Sequence, residues 1–278
     1  PDIPPHLSGC GENDHKCFDA YKNHFNTVIK SIHDRFNVFL EECGESPYSA
    51  GEFFETSPYM NLLLYPEQMK FNRRNSLNPQ IFQYLEGCVR EEKEYEVPVF
   101  KSCNSEPLLY VSFGSLGSGD TILLKRLMEA VKKMSIRALF NVGDYETEYE
   151  SVPDNISIAS WYPQPSVISQ ADIVIHHGGN NSFTECLYFG KPALIMPYVW
   201  DGHDNAKRID ETGHGCHMHR SNWTEEKLIN CINQMLNDKA MQSRLNETSR
   251  QMQSQHGPTK AAKILNEILS NSITHKQA

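Results

Sequence analysis

Apolar and polar positions along this chain follow two different periods, and the change falls near residue 107. Between His15 and Cys43 the residues Phe18, Tyr21, Phe25, Val28, Ile29, Ile32, Phe36 and Phe39 recur every three or four positions. That spacing predicts one long helix with a wide apolar stripe, stopped by Gly44. The stretch 44–107 is less regular. Tyr59–Tyr65 reads as a strand ending at Pro66, and Pro79–Val89 as a short helix. The acidic run Glu91–Glu96, followed by Val97-Pro98, reads as a solvated connector.

After Pro107 short apolar runs alternate with helical spacing. LLYVSFG, RALFNVG, NISIAS, ADIVIH, ALIMP and GCHMH read as strands. Helices are predicted over Thr121–Met134, from FTECLYFG, and over Asn205–Thr212, Thr224–Leu236, Lys239–Gln255 and Pro258–Leu269. Strands alternating with helices predict a parallel, doubly wound α/β sheet, whose ligands sit outside the carboxyl ends of the strands. The expected organisation is a first part over 1–100, a ligand-binding α/β domain over 101–257, and a closing helix and tail over 258–278 that packs back on the first part. The chain opens with PDIPPHLSG, without Met or an apolar leader, and reads as an internal start.

The stretch Trp161–Ala206 carries the candidate chemistry. The strand ADIVIH runs into HGGNNS and then a helix, an arrangement that builds an anion site from free helix amides and the helix dipole. Gly178 and Gly179 let the backbone approach a ligand, while His177, Asn181 and Ser182 add neutral donors. A Gly-Gly turn alone is often structural; the clustered donors favour the functional reading. His176 follows the strand alternation and is expected to face the core or a neighbouring loop. Trp161 and Gln164 follow another strand in a Pro-rich loop, where the indole offers a flat face for a base, or plugs the core. Glu185, one helical turn past Asn181, suits ribose hydroxyls or plain solvent exposure. Asp201 follows a third strand, where it either holds sugar hydroxyls or caps the next helix.

Composition narrows the partners. The net charge is −9 and no Lys/Arg-rich run occurs, which argues against nucleic acid or an anionic membrane surface. No window reaches the roughly 18–20 apolar residues that span a bilayer. The eight Cys form no CxxC pair, which predicts reduced thiols and a cytoplasmic, soluble protein. His203, His214, His217 and His219 with Cys216 fit no standard zinc spacing, so no metal site is expected. Short Asn-x-Ser/Thr matches carry no weight, since one lies inside the Gly-rich turn.

Together these residues resemble the signature of family 1 UDP-glycosyltransferases, the UDP-glucuronosyl/glucosyltransferases. The match comprises Trp161-Tyr-Pro-Gln164, His177-Gly-Gly-Asn-Asn181-Ser182-Phe-Thr-Glu185, Gly190-Lys-Pro192 and Pro197-Tyr-Val-Trp-Asp201-Gly-His-Asp-Asn205-Ala206. LLYVSFGSLGSG resembles the donor domain's first strand and turn. PPHLSG, HDRFN and SPYMNLLLYPEQ resemble the rear of the acceptor domain. The resemblance implies a GT-B fold: a complete Rossmann-like donor domain plus the rear part of an acceptor domain. It places Trp161 on uracil, Gln164 on uracil or ribose, and Glu185 on ribose. It places Ser115, His177, Gly179, Asn181 and Ser182 at the diphosphate, and Asp201 at the sugar.

It also implies an inverting hexosyltransferase that uses a UDP-sugar co-substrate and needs no metal or other cofactor. The acceptor would be a small hydroxylated lipophilic compound. The chain departs from the pattern at Gly202, where the family has a sugar-contacting Gln, leaving donor identity open. The family's catalytic His and Asp precede residue 1, and His6, His15, His24 and His33 do not replace them. The membrane helix and basic tail of animal members are absent, consistent with a soluble form. Turnover by this chain alone is therefore expected to be slight. A non-catalytic UDP-binding module that self-associates through the exposed face of helix 15–43 is the second reading, and a GT-B UDP-sugar epimerase the third.

Overall fold

The computed structural model describes residues 3–102 and 105–274. The first part holds a 28-residue helix α1 (His15–Glu42) and two three-residue strands, β1 (Asn61–Leu63) and β2 (Phe82–Tyr84). The helix starts where Asp14 caps the Cys17 amide, and the chain turns through Gly44 at φ +82°. Only Phe18 and His33 of α1 are buried; Val28, Ile32, Val38 and Phe39 stay exposed. The helix expected over Pro79–Val89 is not there. Phe82–Tyr84 instead pairs in parallel with Asn61–Leu63, and Leu85 donates onward to the Leu63 carbonyl. A short apolar run is ambiguous between helix and strand, and the neighbouring strand edge decides it.

The second part is built on β3 (Leu108–Ser112), β4 (Arg137–Asn141), β5 (Ile156–Ala159), β6 (Ile173–His176), β7 (Ala193–Ile195) and β8 (Gly215–His217). Between them run α2 (Gly114–Gly117), α3 (Thr121–Val131), α4 (Gln164–Gln170), α5 (Asn180–Tyr188) and α6 (Asp201–Glu211). Helices α7 (Glu225–Asn237), α8 (Lys239–Gln253) and α9 (Gly257–Thr274) close the chain. Every strand pairing is parallel, in the order β5-β4-β3-β6-β7-β8. Strands β3 and β6 are buried at every position, as a sheet covered on both faces requires. The predicted strands and helices of this half are all present. The sequence reading missed α4, which opens at Gln164 in what was expected to be loop.

After β3 the chain winds outward to β5, then returns to lay β6 on the other side of β3. The switch point therefore lies between β3 and β6. Their carboxyl ends part there and leave a crevice.

The first part is tied to this sheet at specific points. Asp204 of α6 accepts from the Leu7 and Gly9 amides at 2.6 and 2.7 Å. Arg208 donates to the carbonyls of Met69 and Lys70. Lys260 of α9 reaches the Tyr84 carbonyl at 2.8 Å.

The expectation of reduced thiols throughout is corrected at one pair. Cys10 and Cys17 form a disulfide that ties the N-terminal loop to the first turn of α1. Their separation of seven residues carries no motif, and only the docking of the loop brings them together. Cys43, Cys88, Cys186, Cys216 and Cys231 are free thiols, and Cys103 lies outside the described residues. Among the described residues no helix is long and apolar enough to cross a membrane.

Candidate functional site

A cavity of about 770 Å³ opens along the crevice at the carboxyl edge of the sheet. Of the residues singled out from sequence, Ser115, Trp161, Gln164, His177, Gly179, Asn181, Ser182 and Asp201 line it. They come from the ends of β3, β5, β6 and β7, so the fold gathers four separate stretches on one rim. Glu185 lies just behind, bordering an adjoining cavity of about 180 Å³. Gly202 is buried beneath the His177 turn and lines neither.

The turn after β6 shows why its residues are what they are. Gly178 sits at φ +88°, a left-handed conformation costly for other residues. Its carbonyl accepts from the buried Asn205 Nδ2 at 2.8 Å, and its amide donates to His176 Nδ1 at 3.0 Å. His176 is fully buried, and burial pushes its pKa down to about 3, so it stays neutral and structural. The His177 ring lies in a slot between Gly114 and Gly179: a Cβ on either would meet it at 3.0 and 2.4 Å. Burial lowers the His177 pKa, opposed by the nearby Asp201 carboxylate. Its Nδ1 is buried without a hydrogen-bond partner. The two consecutive histidines thus have opposite roles: one pins the turn, the other faces the cavity.

Trp161 is 63% exposed, which excludes the reading of it as a core plug. Behind it runs a polar network. Gln164 Nε2 donates to Ser182 Oγ at 3.0 Å and to Glu185 Oε2 at 2.6 Å. Gln164 Oε1 accepts from the buried Tyr110 hydroxyl at 3.4 Å. Glu185 is 3% exposed, so it is no solvated helix residue. Its other oxygen, Oε1, accepts from Arg90 Nη1 at 2.9 Å. Burial raises the Glu185 pKa, and the bonds from Gln164 and Arg90 pull it back. A vicinal diol suits such a carboxylate, since both oxygens can accept.

Asp201 opens α6, yet its Oδ2 accepts from the Asn180 amide at 2.8 Å. It therefore caps the helix before it, α5, and not the helix it begins. A side chain on Gly202 would put a Cβ 2.6 Å from the His177 carbonyl oxygen. The residue is glycine because two backbones touch there. The approach is reached through Trp200 at φ +54°, ψ −135°, strained for a non-glycine residue.

Some cavity residues were not legible beforehand. Asp144 and Tyr145 follow β4, at a strand end whose carboxyl edge could have been read as rim. Beneath the cavity, Tyr110 acts through its hydroxyl bond to Gln164, and Asn205, already part of the matched signature, through its bond to the Gly178 carbonyl. Arg90 heads the connector, one residue before the acidic run 91–96 expected to be solvated, and only tertiary docking brings it to Glu185.

The scattered histidines have separate partners. His203 contacts the Tyr198 carbonyl, His217 pairs with Asp210, and His219 bonds Ser221. His214 is buried between Thr212 and Thr248, and burial lowers its pKa to about 4.

The model of the erythromycin biosynthesis protein CIII-like C-terminal domain matches residues 125–268, just over half of the chain. The chain is 24% identical over 247 residues to the NDP-glycosyltransferase YjiC of Bacillus subtilis, covering 88% of this chain and 62% of that protein. It is 23% identical over 181 residues to the uncharacterized UDP-glucosyltransferase YojK of the same species, covering 64% of this chain and 45% of that one. The crystal structure of the glycotransferase of kitacinnamycin superposes with a TM-score of 0.77 at 20% identity, covering 92% of this chain and 67% of that one. The chain thus spans about half to two thirds of the length of the proteins it resembles.

Proposed function

The chain belongs to the family of the erythromycin biosynthesis protein CIII-like C-terminal domain, the family 1 GT-B glycosyltransferases, and from that premise we propose that it carries the donor site of a UDP-hexose-dependent transferase. One observation carries this reading. An exposed indole and a Gly-rich turn opening a helix line one cavity at the switch point of the sheet, and a carboxylate able to take a diol borders the smaller cavity beside it.

In this reading uracil stacks on Trp161 and Gln164 reads its edge or the ribose. Glu185 takes the ribose hydroxyls. The diphosphate sits against the amides of the α5 N-terminus, with Ser115, His177, Gly179, Asn181 and Ser182 around it. Asp201 faces the sugar. Attack of an acceptor hydroxyl on the anomeric carbon, with UDP leaving, inverts that centre. The helix N-terminus and His177 stabilise the charge that grows on the departing diphosphate. This needs no metal. The acceptor class is a small lipophilic hydroxyl compound. No residue of 1–278 matches the family's general base, so this chain by itself binds UDP and turns over little.

The test is titration with UDP, UDP-glucose and UDP-glucuronate, followed by Trp161 fluorescence and calorimetry. Micromolar to millimolar saturation with UDP supports the donor site. No heat and no quenching with any of the three would sink it. Rapid transfer of hexose to a phenolic acceptor would overturn the expectation of slight turnover.

A further inference from the structure

Arg90 is the one fixed cation among the described residues lining the large cavity, which otherwise carries neutral donors and the carboxylates Asp144 and Asp201. It comes from the connector, not from the sheet. That connector is held against α4 at several points. The Tyr95 amide donates to Ser166 Oγ at 2.9 Å, and Gln170 Nε2 donates to the Tyr95 carbonyl at 2.9 Å. Arg90 itself is steadied by Glu92, which accepts from its Nε at 2.7 Å. Its Nη1 then reaches Glu185 Oε1 at 2.9 Å. The guanidinium also forms part of the wall between the large cavity and the smaller one beside it.

Glu185 is therefore gripped from two sides: Gln164 on Oε2 and Arg90 on Oε1. A buried carboxylate held only by a neutral amide would favour its protonated form, which accepts fewer hydrogen bonds. We propose that Arg90 is a positioning residue of the donor site: the connector delivers its guanidinium to Glu185, keeping that carboxylate ionised and aimed at the ribose diol. The inference rests on the donor-site reading above. It makes the connector part of the nucleotide site and gives Arg90 a role in ribose recognition without contact to the diphosphate.

The whole chain is used for the test, with three ligands and two variants. UDP carries both ribose hydroxyls and the diphosphate, uridine lacks the diphosphate, and 2′,3′-dideoxyuridine diphosphate lacks the diol. Arg90→Gln is expected to weaken UDP and uridine alike, by about tenfold, the scale of one hydrogen bond to a charged group. Binding of the dideoxy compound should change less than about twofold, within the scatter of a surface change. Arg90→Lys, which keeps the charge without the planar fork, should recover part of the loss. Circular dichroism checks that both variants fold; Arg90 is half exposed, so its loss leaves no core cavity. A loss confined to the two diphosphates would make Arg90 a phosphate contact, and tighter UDP binding would make it a plug; either overturns the proposal. Wild-type chain that binds none of the three ligands would remove the donor-site reading and this inference with it. Wild-type binding with no change in Arg90→Gln would remove this inference alone.

Discussion

Gly178 and Gly202 meet backbone to backbone: a Cβ on Gly178 would lie 2.8 Å from the Gly202 oxygen, and one on Gly202 would lie 2.6 Å from the His177 oxygen. The family places a Gln where Gly202 stands, so restoring it looks like a repair. The geometry says otherwise. Gly202→Gln should destabilise the fold by about 1–3 kcal/mol, the usual cost of overpacking. It should also weaken UDP binding, because the displaced backbone carries His177. Urea unfolding and calorimetry check both, and a variant as stable as the parent that binds UDP-glucose more tightly would contradict the contact.

Trp161 tests the base platform with little cost to the fold, since its ring is largely in solvent. Trp161→Ala should lose about 1–3 kcal/mol of uridine binding, the range of base–aromatic stacking, with an unchanged melting temperature. Trp161→Phe should keep part of it. Isothermal calorimetry measures all three, and equal affinities for Ala and Trp would remove the indole from the site.

Glu185 predicts a pH profile. Its folded pKa is raised, chiefly by burial, and only the ionised form accepts from both ribose hydroxyls. UDP affinity should therefore fall on acidification at a higher pH than an ordinary carboxylate near 4.5 would show. Glu185→Gln should bind more weakly and abolish that limb. Calorimetric titration over a pH series decides it, and a profile identical in the variant would rule Glu185 out as its source.

Two buried histidines predict acid lability. His176 and His214 are lowered to about 3 and about 4 from 6.5. Between pH 6.5 and those values the unfolded chain binds protons that the folded chain refuses, so stability is full above 6.5 and falls as pH drops. Each histidine contributes a slope of up to about 1.4 kcal/mol per pH unit in that window. Denaturant unfolding from pH 8 to pH 4 should show the decline, and His214→Gln should make it shallower. A pH-independent midpoint would refute the assignment.

The Cys10–Cys17 bridge closes a short loop. Its reduction should lower stability by about 2 kcal/mol on chain-entropy grounds while leaving nucleotide affinity unchanged, because the loop touches α6 through Asp204 and not the cavity. Peptide mapping without reductant should recover 10 and 17 in one linked fragment. Finding both as free thiols in air-oxidised protein would refute the pairing.

The sheet of the second half was legible because its strands carry short apolar runs and each ends in turn residues: LLYVS, RALFN and IVIH need no partner to be recognised. The same holds for Trp161, His177, Asn181, Glu185 and Asp201, whose spacing survives in the linear chain. The strand at Phe82–Tyr84 was not legible, because three residues carry no period and only the edge of Asn61–Leu63 selects strand over helix. Sequence by itself determined that Trp161, the His177 turn and Asp201 follow strand ends of one parallel sheet, with Glu185 on the helix after that turn. Only the tertiary structure decided that Asp201 caps the helix before it, that Gly202 has no room for a side chain, and that Arg90 reaches Glu185 across 95 positions of chain. Those relationships are contacts between segments far apart in sequence, and local propensity carries no information about distances that packing alone sets.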